Sequence, residues 1–198
     1  VLSAPIAYNL WLGQVEVVSL LVLLGVFAII SKKIDPRASF LVILFGFAKP
    51  QVTALVAIYL MYYLYREFGL RFLILQLYAC VALVILCSLG QPTWFVNWLN
   101  AMRTFNGGET FYSLWFVAAL PFALLPTKRL ETKLALLVLV NCFIFPYYFL
   151  YRTTAILPFV GDIWITAVSW IYFALGAKFA YVHLIVTGVI ILIKDRRI

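Results

Sequence analysis

The chain is 198 residues long; 66% of them are hydrophobic, 11% are charged, and the net charge is +8. A soluble domain carries about 25% charged residues, so this composition excludes a soluble globular fold and a soluble nucleotide-dependent enzyme. The positive charge does not mark nucleic-acid binding. Eleven of the fifteen Lys and Arg residues fall in short clusters between or after apolar runs, the distribution that keeps the basic ends of membrane helices in the cytoplasm.

Backbone groups in lipid must be bonded internally, so a spanning segment is a helix or part of a closed barrel. Barrel strands alternate apolar and polar residues. The runs here are apolar all round, which predicts an all-α, polytopic transmembrane helical bundle occupying residues 1–198 as a single domain. The basic clusters set its topology. They are Lys32, Lys33 and Arg37; Arg66 and Arg71; Lys128, Arg129 and Lys133; and Lys194, Arg196 and Arg197. With all four on the cytoplasmic side, 14–30 crosses inward, 72–90 crosses outward and 111–126 returns. The stretch 134–193 then crosses either two or four times, and both counts satisfy the charge rule. The chain opens at Val1 in mid-pattern, without an initiator Met or a signal peptide, which leads us to expect a longer parent protein or neighbouring subunits.

Segment 38–64 is different. Both of its ends are basic, and Lys49-Pro50-Gln51 interrupts it. Each apolar limb spans roughly 16–21 Å at 1.5 Å per residue, short of a core of about 30 Å. Proline removes a helical N–H and disfavours helical geometry at the residue before it. The expected structure is a broken-helix hairpin with Lys49 at its tip. The loop 91–110 follows, with Trp94, Phe95, Trp98, Met102 and Phe105 spaced as one face of an interfacial helix. Asn106-Gly107-Gly108 then supplies a turn.

Intramembrane polar groups are costly and mark candidate sites. Outside the cytoplasmic clusters four cations remain, Lys49, Arg103, Arg152 and Lys178, all toward the outer side in this topology. Either they converge on an anion, a lipid-linked phosphate being the obvious one at a membrane surface, or each snorkels to headgroups alone. Gln14 and Glu16 lie at the outer start of the first helix, where the carboxylate is a base, a counter-ion or a water-facing interfacial group. Asp162 suits a turn. His183 stands alone on an apolar helix, so no metal site is expected. Cys80, Cys87 and Cys142 sit inside apolar runs and read as small buried hydrophobes. No phosphate-cradling Gly-rich loop, GxSxG elbow or HExxH motif occurs.

In order along the chain stand Gly13-Gln14-Val15-Glu16 at the head of a membrane helix, a basic loop, Gly46-Phe47-Ala48-Lys49-Pro50-Gln51, apolar residues ending in Tyr65-Arg66, a Trp-bearing outer loop, and Phe145-Pro146-Tyr147-Tyr148-Phe149-Leu150-Tyr151-Arg152. Over roughly residues 5–160 this order resembles the family 87 membrane glycosyltransferases, which have a GT-C fold and use polyprenol-phosphate-mannose. Their segments typically read GQxN, then KPQ or KPT, then a proline-aromatic stretch. Glu16 stands where the family often has Asn. Tyr151 and Arg152 stand where it often has His or Asp. The resemblance implies a multi-pass protein of the plasma membrane. It implies transfer of a hexose, mannose in that family, from a polyprenyl-phosphate donor to an acceptor at the outer face, without metal or cofactor. Lys49, Gln51, Gln14, Glu16 and Arg152 would then bind donor phosphate and sugar among the membrane lipids. The catalytic carboxylate of such enzymes sits in an outer loop after the first helix, which would precede Val1. A transporter-like core or a structural subunit of a membrane complex is the alternative reading.

Overall fold

The computed structural model describes residues 17–48, 50–90, 121–144 and 180–197, with isolated positions at 93, 96, 97, 100, 171 and 174. The regular structure among the described residues is helical, with no strand. We number the helices α1 (Val17–Ile30), α2 (Ser39–Ala48), α3 (Pro50–Gly90), α4 (Leu130–Ile144) and α5 (Ala180–Arg197); a 3-10 turn, Pro36–Ala38, precedes α2. Val52–Gly90, within α3, is long and apolar enough to cross a membrane.

The end of α1 is fixed by its own backbone. Lys33 N–H reaches Ala28 O at 2.8 Å and Lys32 N–H reaches Ile29 O at 3.0 Å. Both bonds require a left-handed residue between them, and Lys32 takes that role at φ 57°. Glycine usually fills this position because it has no Cβ to clash. The chain then turns through Asp35, whose carboxylate accepts from Arg37 N–H at 2.8 Å, and Pro36 opens the 3-10 turn.

The proline ends α2 as expected. The helix stops at Ala48, and α3 begins at Pro50, where the missing N–H is not needed. In an unbroken helix Gly46 O would accept from residue 50, which has no N–H to give. Thr53 Oγ1 donates to that carbonyl instead, at 2.8 Å. Helices α1, α2 and the first limb of α3 then pack through their small residues. A Cβ added at Gly25 would lie 2.8 Å from Val42 Cγ2, and one at Gly46 would lie 2.7 Å from Ala57 Cβ. Such close backbone approach is how helices associate where no water drives them together. The register, Gly25 beside Val42 and Val22 beside Gly46, makes α1 and α2 antiparallel.

Past the hairpin the structure departs from the sequence reading. The returning limb is longer than expected and reaches a break at Gly69, after which a second helical limb begins close to the expected start at residue 72. Helix α3 runs on to Gly90 and changes direction at one residue, Gly69, at φ 83° and ψ 172°. Only glycine adopts that region readily. The rings of Tyr63, Phe68 and Phe72 brace the bend, with centroids 6.5 and 5.0 Å apart in sequence. The limb 70–90 is tied to the start of α2, where Ser39 Oγ donates to Gln76 Oε1 at 3.1 Å and Cys80 Sγ donates to Phe40 O at 3.1 Å. Cys80 is therefore buried as expected, but Cys87 is exposed, because only one narrow face of this limb touches protein. The Cys142 side chain lies outside the described residues.

The core is apolar and follows helical spacing: Val22, Val26 and Ile29 on α1, then Val52, Val56, Leu60 and Leu64 on α3. Residues 134–141 of α4 are buried on every side, which makes α4 the central helix. Its start is held by α5. Asp195 accepts from Lys128 N–H at 2.9 Å, while Lys133 Nζ donates to the carbonyls of Ala123 and Leu125 at the end of the preceding helical turn. Gly188 lies beside Leu139, so α5 runs antiparallel to α4. The two later basic clusters, 128–133 and 194–197, thereby come together.

Candidate functional site

The hairpin tip is where chain geometry and costly residue types coincide. Helix α2 ends at Ala48 and α3 starts at Pro50, so Lys49 lies at the break. Its own placement, like those of Gln14, Glu16 and Arg152, falls outside the described residues. So do Arg103, Asp162, Lys178 and the count of crossings between 145 and 179. Gln51 is in the first turn of α3, and His183 is on α5; their side chains are also outside the described residues.

Three elements frame the break. The antiparallel register of α1 on α2 carries the described start of α1, residues 17–19, toward the tip, one turn after Gln14 and Glu16. Thr53 covers the carbonyl that Pro50 leaves open. From α4, Asn141 accepts from Leu55 N–H at 3.1 Å, and both Thr53 and Asn141 are fully buried. A buried amide without a partner would cost about 1–3 kcal/mol, so this contact fixes α4 against the first turns of α3.

Thr53 and Asn141 did not stand out in the sequence. Thr53 had a readable signal, since a hydroxyl three residues after Pro50 can reach the carbonyl four residues before the proline. Asn141 had none, because its partner is 86 residues away. What this arrangement supplies chemically is a stiff, polar helix break inside an apolar bundle, with a lysine at its apex. Comparison with protein-family models, with characterised proteins and with solved structures finds no match.

Proposed function

We propose that this chain is the membrane core of a glycosyltransferase, a multi-pass protein of the plasma membrane. It moves a hexose, mannose in our reading, from a polyprenyl-phosphate donor to an acceptor at the outer face. The break at 48–50 carries the proposal. A proline and a lysine there interrupt an apolar segment, and the head of α1 and Asn141 of α4 converge on the same level. The limb 70–90 supports the membrane reading. Tyr78 (68% exposed), Leu86 (63%) and Leu89 (74%) leave a continuous apolar face outside the protein, a surface suited to lipid and not to water.

In this mechanism a carboxylate outside the present span takes the proton from the acceptor hydroxyl. The hydroxyl oxygen attacks the anomeric carbon, and the bond from that carbon to the phosphate oxygen breaks. The lipid phosphate leaves with the electron pair, and the Lys49 ammonium stabilises its growing charge. Gln51, Gln14, Glu16 and Arg152 hold sugar and phosphate. No metal or nucleotide is required, because the donor is already activated.

The test is transfer from a polyprenyl-phosphate sugar by the full-length protein in vesicles. Lys49→Ala and Lys49→Gln lower turnover by about two orders of magnitude while membrane insertion is unchanged, and Lys49→Arg recovers it only in part. Wild-type turnover and donor affinity in Lys49→Ala would remove Lys49 from the site. A structural subunit of a membrane complex is the second reading, and the same apolar face of 70–90 would then meet a protein partner.

A further inference from the structure

The end of the bundle opposite the hairpin tip carries an open cleft of about 450 Å³, lined by residues 29 and 32–36 of the α1–α2 connection and by Tyr63, Glu67 and Phe68 of α3. Four of the lining residues are charged: Lys32, Lys33, Asp35 and Glu67. Among the described residues none of the four forms an ion pair. The Lys33 ammonium lies over the Phe27 ring, 5.1 Å from its centroid, and Asp35 uses one carboxylate oxygen on Arg37 N–H. The residues around the cleft therefore include two lysines and two carboxylates that form no ion pair with one another among the described residues, beside Ile29, Ile34 and Phe68.

One more feature sets this place apart. Lys32 holds the left-handed conformation at φ 57°, at a cost of roughly 1–2 kcal/mol that glycine would avoid. The two backbone hydrogen bonds that close α1 hold it there and fix Lys32 at the edge of the cleft. We propose that the cleft binds the phosphoethanolamine headgroup of a membrane phospholipid. Lys32 and Lys33 take the phosphate, Asp35 and Glu67 take the headgroup ammonium, and the glycerol lies along Ile34 and Phe68, which are both exposed. The charge balance selects this ligand. A purely anionic head would leave both carboxylates facing it, and a choline head has no N–H to donate to them. The inference rests on the membrane reading alone and not on the transfer reaction, so Lys49 variants leave it untouched.

The test is native mass spectrometry of the full-length protein in mild detergent, titrated with phosphatidylethanolamine, phosphatidylcholine and phosphatidylglycerol of one acyl composition. Phosphatidylethanolamine gives a single retained lipid at about tenfold higher occupancy than phosphatidylcholine, the ratio set by one charge-assisted hydrogen bond. Lys32→Gly, which relieves the backbone and unfolds no earlier than wild type, loses that lipid. Glu67→Gln lowers phosphatidylethanolamine to the level of phosphatidylcholine. Equal occupancy by the two lipids in the wild type would overturn the proposal, as would full retention in Lys32→Gly. Displacement by inorganic phosphate as effective as that by soluble phosphoethanolamine would show a free-phosphate site, and would overturn it too.

Discussion

The hairpin rests on the contact between Gly46 and Ala57, and a pair of substitutions can measure it. In Gly46→Ala the new Cβ would lie 2.7 Å from Ala57 Cβ, about 0.7 Å inside the 3.4 Å at which ordinary contact begins. Overpacking of this kind costs about 1–3 kcal/mol. Alanine also favours the helix over glycine by about 0.8–1 kcal/mol, so the single substitution nets a loss of roughly 0–2 kcal/mol. That range is too wide to decide anything alone. The reciprocal variant resolves it. With Ala57→Gly in the same chain the new Cβ meets Val22 Cγ1 at 3.7 Å and the residue-57 Cα at 3.8 Å, both ordinary contact. The steric term vanishes and the two propensity terms cancel. A double-mutant cycle then isolates a coupling of about 1–3 kcal/mol. Reversible unfolding of the full-length protein in mixed micelles, followed by circular dichroism, gives the four free energies. A coupling under about 0.5 kcal/mol would mean that α2 and α3 do not meet at these residues, and the hairpin would fall with it.

Two further outcomes follow from the buried polar contacts. Asn141→Ala removes the amide that receives Leu55 N–H and lowers stability by about 0.6–1.7 kcal/mol, the span of hydrogen bonds inside membrane proteins, in the same unfolding assay; an unchanged midpoint would detach α4 from the break. Asp195 sits near the C-terminal end of α5. Burial pushes its carboxyl up, but the N–H groups of Lys128 and Arg129, the Thr132 hydroxyl and the Lys128 charge outweigh it and hold the value below 3.8. A carboxyl lowered on folding stabilises the fold fully above its unfolded value and loses that contribution as pH falls through the folded one. Asp195→Ala therefore costs about 1–2 kcal/mol at pH 7, and its deficit against wild type shrinks as pH falls below the ordinary carboxylate range; a deficit that persists unchanged in acid would deny the charged cap.

The sequence made the break at Lys49-Pro50 legible because proline acts locally: it removes one N–H and restricts one neighbour. The sequence reading placed all four basic clusters on one face, since charge repelled from an apolar interior collects at helix ends, and the described contacts join them two by two. Residues 29–36 line one cleft with 63–68, and Asp195 meets Lys128, which brings 32–37 to 66–71 and 128–133 to 194–197. The bend at Gly69 was not legible. A glycine between Phe68 and Leu70 in an otherwise helical pattern signals only a tolerated weak point, and the left-handed φ arises from how the limb 70–90 packs on α2. The exposure of Cys87 was missed because an apolar run does not reveal which face lipid will cover. Asn141 was missed because only the packed bundle brings α4 to α3.

The polar atoms buried in this bundle are not scattered. Ser39, Gln76 and Cys80 bind the limb 70–90 to the start of α2; Asp195 closes the start of α4; Thr53 and Asn141 stand at the break. Ser19 and Thr187 are buried apart from these groups, and the rest of the core among the described residues is aliphatic. A polar group in an apolar bundle fixes which helix meets which, because any other arrangement leaves it unpaired at a cost of about 1–3 kcal/mol. In the first group the task is done by hydrogen bonds alone, and at the start of α4 the nearby lysine, Lys133, is used on the carbonyls of Ala123 and Leu125. At the break the same task is done by Thr53 and Asn141. A chain selecting only for packing could have ended α2 with any small residue before Pro50. A lysine there adds insertion cost of roughly 2.5–3.5 kcal/mol at mid-membrane depth, and packing alone supplies no return for it. The return we assign is the phosphate of the lipid-linked donor.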